Sequence, residues 1–402
     1  MAYGDGPDDA ALRAAWTQFC ARLAAAGDQV FKDLNATSGL QRVDAYRFLT
    51  QNLGQAFDLA LETRDPGYPA LHAFCGPTRK LGGDCADFTY QQAWIDGRHT
   101  YRVTGQLGTA RFLNITVQGA RRAGPGVLHE PFGDTPEANL FGHQLEVGAD
   151  GSFEIVVGGP EQPGNWLPTT AESRKLFIRQ GFDRWDETPA RMTIERVGMD
   201  EPQPLPDPAT MIAAMAWAGD FVTGLMADWP EFPFTYGGVD ATAPNRFPGV
   251  DATGADALRG RAAASMYWEL APEQALIVEF SAHEGLWMLT NMGAFCTSMD
   301  YRYRPVSYTP SRTAVDTDGR IRIVLAHRDP GVANWLDTQG FSRGHLTYRH
   351  MLDGEPAVLE TRLVSYDRLR DELPPDTATV TDAQREAAMW ERFRAIRLRY
   401  PE

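Results

Sequence analysis

Two stretches near the N-terminus repeat apolar residues every three or four positions, which is the spacing of a helix with one buried face. The first stretch begins after Asp8 and ends at Gly27, where a helix commonly stops. The second covers about residues 41–62 and is ended by the Pro-Gly pair at 66–67. The residues predicted to face the core are Leu12, Trp16, Phe19 and Leu23 in the first helix, and Val43, Tyr46, Leu49, Leu53, Phe57 and Leu61 in the second.

From about Phe88 the helical period gives way to short runs of alternating apolar and polar residues. Turn pairs such as Asp96-Gly97 and Asp150-Gly151 separate these runs as far as Val197. A second region of the same kind covers about residues 267–366. Short strands with turns at this spacing predict a β-sandwich in each region.

Between the two β regions the chain predicts a proline-rich connector, a third helix and an irregular loop. Asp207 and Pro208 stand where a helix cap and first helical residue belong. Near the C-terminus, Thr381 and Gln384 form a capping box for a last helix. The predicted organisation is a helical segment at 1–75, a first β-sandwich at 76–200, a helix and linker at 201–260, a second β-sandwich at 261–370 and a C-terminal helix at 371–402.

The tripeptide Asn-Trp-Leu occurs twice, at 165–167 and at 334–336. An Asp-Gly turn and an apolar strand precede each copy, and the two copies are offset by about 170 residues. This offset is too long for a solenoid unit and indicates a tandem duplication of one β domain. Two interpretations of the motif remain open. It is either a structural corner with a buried Trp, or a rim at which Asn334 and Trp335 bind a ligand.

The second copy resembles a known bacterial family. Trp287-Met288-Leu289, Asp318-Gly319 and Asn334-Trp335-Leu336 together resemble domain of unknown function twelve-fourteen. The resemblance covers about residues 75–370. It implies a mainly β fold with peripheral helices, in which two tandem jelly-roll-like β-sandwiches pack side by side. It implies no reaction, because that family is itself uncharacterised.

The segment GGDCADFTY at 82–90 is similar to the hallmark of a companion module, domain of unknown function twelve-fifty-four. That hallmark reads Asn-x-Asp-Thr-x-Tyr. Asp87 and Tyr90 are kept here, whereas Cys85 and Phe88 stand at hallmark positions.

Composition and charge narrow the function classes. The chain has 402 residues, 43% of them hydrophobic, and a net charge of −15, which opposes a nucleic-acid partner. It has no apolar run of the roughly 18–20 residues that a membrane span needs. The acidic start MAYGDGPDDA is unlike a signal peptide, so a cytoplasmic location is expected. Homo-oligomers remain open for such paired sandwiches.

The motifs of common cofactors are missing from the sequence. Four cysteines without a CxxC pair favour free thiols, although a pair between Cys75 and Cys85 remains open. The eight histidines form neither HxH nor HExxH, which opposes a transition-metal site. Neither a P-loop, a GxSxG motif nor a GxGxxG turn after a strand occurs, so no cofactor is expected.

The most suggestive chemistry lies in the connector at residues 77–90, where opposite charges and two glycines are packed together. This pattern suits either a structural ion network or a site with a general base and an anion-binding cation. The candidates are Asp84 and Asp87 as general bases, Arg79 and Lys80 as cations, and Tyr90 as a residue that orients a substrate.

The second repeat adds two candidates. His327 precedes the second Asn-Trp-Leu, whereas the first copy has glycines at 158–159, which suggests that only one copy carries a site. Histidine suits proton transfer near neutral pH, but a loop histidine also commonly serves as a hydrogen-bonding surface residue. Arg349 and its equivalent Arg179 end matching strands, where they can hold a carboxylate or phosphate, or pair with an acidic loop.

Two functional hypotheses follow. The first is a cofactor-independent acid–base enzyme, of lyase, hydratase, isomerase or hydrolase type, acting on a small, largely apolar or aromatic molecule. The alternative is a non-catalytic module that binds a ligand or carbohydrate. The sequence has 10 Trp and 20 Phe, which can line a ligand pocket or fill a core. The predicted site contains Asp84, Asp87 and His327 as catalytic residues, and Arg79, Lys80, Tyr90, Asn334, Trp335 and Arg349 as binding residues.

Overall fold

The computed structural model describes residues 6–121, 134–235, 238–250 and 260–400. Within these ranges the chain is mainly β with peripheral helices, and its strands form four sheets, which confirms the predicted pair of tandem jelly-roll-like β-sandwiches. The helices are α1 (Asp9–Asp28), α2 (Gly39–Phe57, followed by a π-helical turn at Asp58–Glu62), α3 (Pro208–Ala227), α4 (Phe232–Thr235), α5 (Leu369–Glu372) and α6 (Asp382–Arg399).

The chain begins its β structure with one extra strand, β1 (His72–Cys75). Two β units with equal numbers of strands then follow. The first unit contains β2 (Phe88–Trp94), β3 (Tyr101–Gln106), β4 (Phe112–Arg121), β5 (Asp134–Phe141), β6 (Ser152–Val157), β7 (Trp166–Leu167), β8 (Lys175–Gly181) and β9 (Arg191–Arg196). The second unit contains β10 (Arg261–Glu269), β11 (Gln274–Ser281), β12 (Leu286–Met292), β13 (Ser307–Tyr308), β14 (Arg320–Ala326), β15 (Trp335–Asp337), β16 (Arg343–Met351) and β17 (Glu360–Ser365).

Both units have the same strand order. In the first, β1-β2-β8-β4-β5 faces β7-β6-β3-β9, and in the second, β10-β16-β12-β13 faces β15-β14-β11-β17. Strands β10 to β17 therefore correspond in order to β2 to β9. Each unit also contains one short parallel pair, in which Val156 lies opposite Trp166 and Val324 lies opposite Trp335. The tandem duplication inferred from the repeated tripeptide is confirmed by this topology.

The two Asn-Trp-Leu corners are built in the same way. The side chain of Asn165 accepts a hydrogen bond from the backbone N–H of Glu146 and donates one to its carbonyl, both at 2.8 Å. Asn334 binds the backbone of Ala314 in the same manner, at 2.9 and 2.8 Å. Each Asn Nδ2 also donates to a carbonyl of the preceding strand. Each asparagine thus binds the backbone of a neighbouring turn, as expected for a structural corner.

The tryptophans of the two corners differ in burial. The indole N–H of Trp166 donates to the carbonyl of Gly158, and that of Trp335 donates to the carbonyl of Ala326. Trp335 is only 8% exposed, because α5 and the end of β14 pack against it. Trp166 is partly exposed. The predicted burial therefore holds fully for the second corner and partly for the first.

Helices α1, α2 and α3 form a layer in which α3 packs against both of the others. Phe19 of α1 and Leu49 of α2 are buried as predicted. The prediction was wrong for Trp16, Val43 and Tyr46, which are exposed. Because α1 and α2 lie at the edges of the layer, only the sides that face α3 and the sheets are covered, and the buried stripe is narrower than the apolar pattern.

Helix α3 is the most apolar helix of the described chain. It has a mean hydropathy of 1.3 over an 18-residue window, which by length and composition alone would suffice to cross a membrane, contrary to the expectation from the sequence. Half of that window is buried inside the protein. Phe221 and Val222 lie in the apolar cluster that α3 shares with α1 and α2. Its first turn is capped as predicted, because Asp207 accepts a hydrogen bond from the N–H of Thr210 at 2.7 Å.

The two sandwiches meet along the outer faces of two sheets, those that contain β2 and β12. Side chains alternate between the faces of a strand. On β12, Trp287 and Leu289 enter the core of the second sandwich, whereas Met288 enters the apolar cluster formed with the helices. On β16, Tyr348 faces the core and Arg349 faces the junction. The connector at 77–87 lies in this junction.

Candidate functional site

The connector between β1 and β2 turns back on itself where it enters the junction. Gly82 and Gly83 have φ values of 69° and 68°, in the left-handed region that glycine adopts without a steric penalty. A hydrogen bond from the N–H of Gly76 to the carbonyl of Arg79 closes its first turn at 2.8 Å. This shape places Lys80 on one side of the glycines and Asp84 on the other.

A cluster of three polar side chains joins the two β units here. Lys80 Nζ lies 2.8 Å from Ser298 Oγ. Ser298 Oγ donates a hydrogen bond to one carboxylate oxygen of Asp84, and the Ser298 backbone N–H donates to the other at 2.8 Å. Lys80 Nζ is 3.9 Å from the Asp84 carboxylate. We call these three residues the Lys–Ser–Asp cluster.

Burial governs the ionisation of the cluster. Lys80, Asp84 and Ser298 are 7%, 2% and 3% exposed, so each charge loses most of its hydration. Burial lowers the pKa of Lys80 to about 8, and the attraction of Asp84 acts against this shift. Burial also raises the pKa of Asp84, against the opposing charge of Lys80 and the hydrogen bonds from Ser298. Asp84, a base with a raised pKa, and Lys80, an acid with a lowered pKa, thus both contact the hydroxyl group of Ser298.

Tyr301 closes the cluster on one side. The ammonium group of Lys80 lies 3.6 Å from the centre of the Tyr301 ring, close enough for a cation–π contact. The phenol of Tyr301 is in turn hydrogen-bonded to that of Tyr400, just beyond the end of α6. The last residues of the described chain therefore help to fix the position of Lys80.

Two further residues predicted from the sequence lie beside the cluster and hold the connector. Arg349 donates to the carbonyl of Gly83 at 2.5 Å. The phenol oxygen of Tyr90 accepts a hydrogen bond from the backbone N–H of Cys85 at 3.0 Å. Burial raises the pKa of the Tyr90 phenol, so that it stays protonated at neutral pH. Both residues position the loop.

The cysteines near the junction are free thiols, and Cys75 and Cys85 are not joined. The thiol of Cys85 lies 3.1 Å from the hydroxyl of Thr290. Burial raises the pKa of Cys85 to about 11 and that of Cys296 to about 12. Because the thiolate is the reactive form, these buried thiols are poor nucleophiles.

A small polar pocket adjoins the cluster. Its volume is about 30 Å³, enough for water but not for an aromatic ring. Lys80 and Ser298 form one wall, and Asp44, Arg47 and Asp300 are among the residues that line the rest. Burial raises the pKa of Asp44, against the opposing charges of Arg47 and Lys80. Carboxyl and ammonium groups with shifted pKa values thus surround this pocket.

A larger cleft lies on the other side of the segments 79–80 and 300–302. Arg79 and Arg302 line the cleft, whereas the neighbouring Lys80 and Asp300 line the polar pocket. The volume of the cleft is about 560 Å³, within the usual range of small-molecule sites.

Three other predicted residues lie away from the cluster. Asp87 is fully buried, and its Oδ1 lies 2.6 Å from Arg312 Nη2 in an ion pair. Arg79 pairs with Asp58 at 3.1 Å. His327 makes its hydrogen bonds to described residues with the Leu270 carbonyl and the Thr338 hydroxyl, both in the second β unit. The structure therefore brings Lys80, Asp84, Tyr90 and Arg349 together. Arg79, Asp87 and His327 each contact other residues instead.

Ser298 was missed by the sequence analysis. It lies in the loop at residues 293–306 between β12 and β13, and no motif around it marks a reactive serine. Lys80 and Ser298 are 218 positions apart, so their contact could not be predicted from the local sequence. Two arginines of α6, Arg392 and Arg399, are also buried, and the sequence analysis did not single them out. Among the described residues, no group of three or more His, Cys, Asp or Glu side chains could hold a metal ion.

The fold and the junction define a class of protein with two tandem β-sandwiches, a helical layer and a charged cluster between them. The family described as "Protein of unknown function (DUF1214)" matches residues 86–180 and 269–352, one region in each β unit. The chain is therefore similar to this family in two segments, one in each β unit. The resemblance inferred from Trp287, Asp318-Gly319 and the second Asn-Trp-Leu is confirmed.

Two solved structures are similar to the chain. An uncharacterised protein from Burkholderia cenocepacia is 28% identical, with a TM-score of 0.79 over 88% of this chain and 97% of that one. The VPA0106 protein from Vibrio parahaemolyticus is 13% identical, with a TM-score of 0.45 over 80% of this chain and 98% of that one. No curated protein sequence matches the chain significantly.

Proposed function

We propose that the protein is a cofactor-independent acid–base enzyme whose site is the Lys–Ser–Asp cluster. The observation that carries the proposal is the 2.8 Å contact of Lys80 Nζ with Ser298 Oγ, while the same hydroxyl donates to Asp84. A hydroxyl held between a carboxylate and an ammonium group suits proton transfer in both directions. Shifted pKa values that cluster beside a pocket support the same assignment.

Of the reaction types compatible with the sequence, the cluster favours hydrolysis of a small ester or amide. Ser298 Oγ attacks the carbonyl carbon and its proton passes to Asp84, whose raised pKa makes it a better base. Lys80, still largely protonated at neutral pH, returns a proton to the leaving group. The polar pocket beside Ser298 has room for the water that then releases the acyl group.

The test is covalent labelling together with turnover. The intact protein is incubated with a fluorophosphonate and weighed by mass spectrometry, and hydrolysis of a p-nitrophenyl acyl ester is followed in parallel. We expect a single adduct on Ser298, and we expect Ser298→Ala to lose the adduct and roughly 100-fold or more of the rate. Ser307→Ala is the matched control, because Ser307 is also buried and lies 3.4 Å from a basic group, that of Arg392.

The proposal fails if the wild-type protein remains unlabelled, or if Ser298→Ala and Ser307→Ala behave alike. The same result would favour the second candidate, a non-catalytic ligand-binding protein. One specific observation supports that candidate: the Lys–Ser–Asp cluster is nearly closed to solvent, whereas the neighbouring cleft of about 560 Å³ is large enough for a ligand.

A further inference from the structure

The cleft beside the polar pocket has a chemical character that points to one class of ligand. Arg79, Arg302 and Arg397 line it, and none of the described residues that line it carries a carboxylate side chain. In a chain with a net charge of −15, such a local excess of positive charge is unusual. A concave surface lined by one sign of charge concentrates ligands of the opposite sign.

Two of the three guanidinium groups are only partly used by the protein. Arg79 pairs with Asp58 at 3.1 Å and Arg302 with Asp300 at 3.2 Å. A guanidinium has five N–H donors, so donors remain on both groups. Arg397 makes no ion pair with a described residue and lies at the exposed end of α6. Its charge is therefore available to a ligand.

Aromatic rings form another wall of the cleft. Tyr303 is 53% exposed and stacks on Phe393, with ring centroids 5.0 Å apart and planes inclined by 26°. The guanidinium of Arg302 lies 5.3 Å from the Tyr303 ring, and that of Arg397 lies 5.7 Å from the Phe393 ring. A flat ring can stack here while its charged group meets an arginine.

We propose that this cleft binds an anionic aromatic molecule, such as an aryl carboxylate. The ring lies against Tyr303 and Phe393, and the carboxylate is held by Arg397 together with the free donors of Arg302. This inference concerns a site distinct from the Lys–Ser–Asp cluster and does not depend on the proposed hydrolysis. Opposite charge alone would attract any anion, so the aromatic wall supplies the selectivity.

The test is calorimetric titration of the full chain with benzoate, benzamide and acetate. We expect benzoate to bind at least about tenfold more tightly than either of the others, because only benzoate combines ring and charge. We expect Arg397→Gln to weaken benzoate binding about tenfold, and added salt to weaken it as well. Tyr303→Ala should weaken benzoate and benzamide alike.

The matched control is Arg328→Gln, since Arg328 is also exposed and lies 4.2 Å from an aromatic ring, that of Tyr366, outside the cleft. Helix content and thermal melting of each variant show whether α6 is intact. Equal binding of benzoate, benzamide and acetate would overturn the inference, as would unchanged binding in Arg397→Gln or equal losses in the two arginine variants. Ser298→Ala should keep benzoate binding, which separates this test from that of the proposed hydrolysis.

Discussion

Lys80 Nζ and Ser298 Oγ lie 2.8 Å apart across the junction of the two β-sandwiches, although 218 positions separate them in the sequence. The connector that leads into the first sandwich supplies Lys80 and Asp84, and the loop after β12 of the second supplies Ser298. Neither β unit alone contains the cluster. The duplicated domains are thus equal in topology but contribute different residues to it.

Asp84 is expected to stabilise the junction as well as to act in the cluster. Asp84→Asn leaves Lys80 buried beside a neutral group, and breaking a buried pair typically costs about 3–5 kcal/mol. In the background of Lys80→Met the same change should cost clearly less, because the unpaired charge is gone. Denaturant unfolding of the single and double variants measures this coupling. Additive costs would mean that the pair contributes no interaction energy.

The proposed hydrolysis should depend on pH in a bell shape. It needs Asp84 ionised and Lys80 protonated, so the rate rises as Asp84 loses its proton and falls above about pH 8 as Lys80 loses its own. Lys80→Arg should weaken or remove the alkaline fall, because a guanidinium keeps its charge. The profile of kcat/KM against pH for both proteins decides this. An unchanged alkaline limb in Lys80→Arg would assign that limb to another group.

Asp87 should behave as a structural carboxylate. It is fully buried against Arg312, and Arg392 and Arg399 also contribute favourable charge nearby. Asp87→Asn should therefore destabilise the protein by roughly 3–5 kcal/mol. Labelling of Ser298 at a temperature where the variant is folded should be unchanged. Loss of labelling without loss of stability would restore Asp87 as a catalytic candidate.

The sequence predicted the architecture well, because the relevant signals are local or repeated. Turn pairs such as Asp150-Gly151, the caps at Asp207 and Thr381, and the second Asn-Trp-Leu each act within a few residues. The repeat then identified the duplication without knowledge of any contact between the copies.

Only the part of the site that lies in one short connector could be predicted from the sequence. The charges of Lys80 and Asp84 in one short connector are visible in the sequence, but Ser298 is brought to them by packing of the two sandwiches. Asp84 and Asp87 lie three positions apart and looked equivalent, yet one faces Ser298 and the other Arg312. The direction of a loop side chain depends on its tertiary surroundings, which periodicity does not encode.

The two Asn-Trp-Leu corners should differ in their contribution to stability. The sequence repeats the same Asn-Trp-Leu corner in both halves and so gives no reason to expect different losses for Trp166→Ala and Trp335→Ala. Because Trp335 is nearly buried and Trp166 is partly exposed, we now expect roughly 3–5 kcal/mol for Trp335→Ala and clearly less for Trp166→Ala. Denaturant unfolding measures both. Equal losses would show that the exposed part of Trp166 does not lower its contribution.

His345 is expected to make the protein sensitive to acid. It lies on β16 against the rings of Phe234 and Tyr267, at 5.3 and 5.7 Å between centroids. Burial, together with the positive charge of Arg343, lowers its pKa from 6.5 to about 3. A neutral imidazole is therefore part of the folded state over a range in which the unfolded chain takes up a proton.

The sign of the effect follows from proton uptake. Between about pH 6.5 and pH 3 the unfolded state binds one more proton at this position, so the free energy of unfolding falls as the pH falls through this window. The loss approaches about 1.4 kcal/mol per pH unit once the unfolded histidine is fully protonated. In His345→Gln the free energy of unfolding should change less steeply with pH, by up to that amount. His143 is exposed, so His143→Gln should show the same slope as the wild type. Unfolding by urea at several pH values gives the three slopes. If His345→Gln kept the wild-type slope, the acid sensitivity would have to come from other groups, such as the partly buried His72 and His283, whose pKa values burial also lowers.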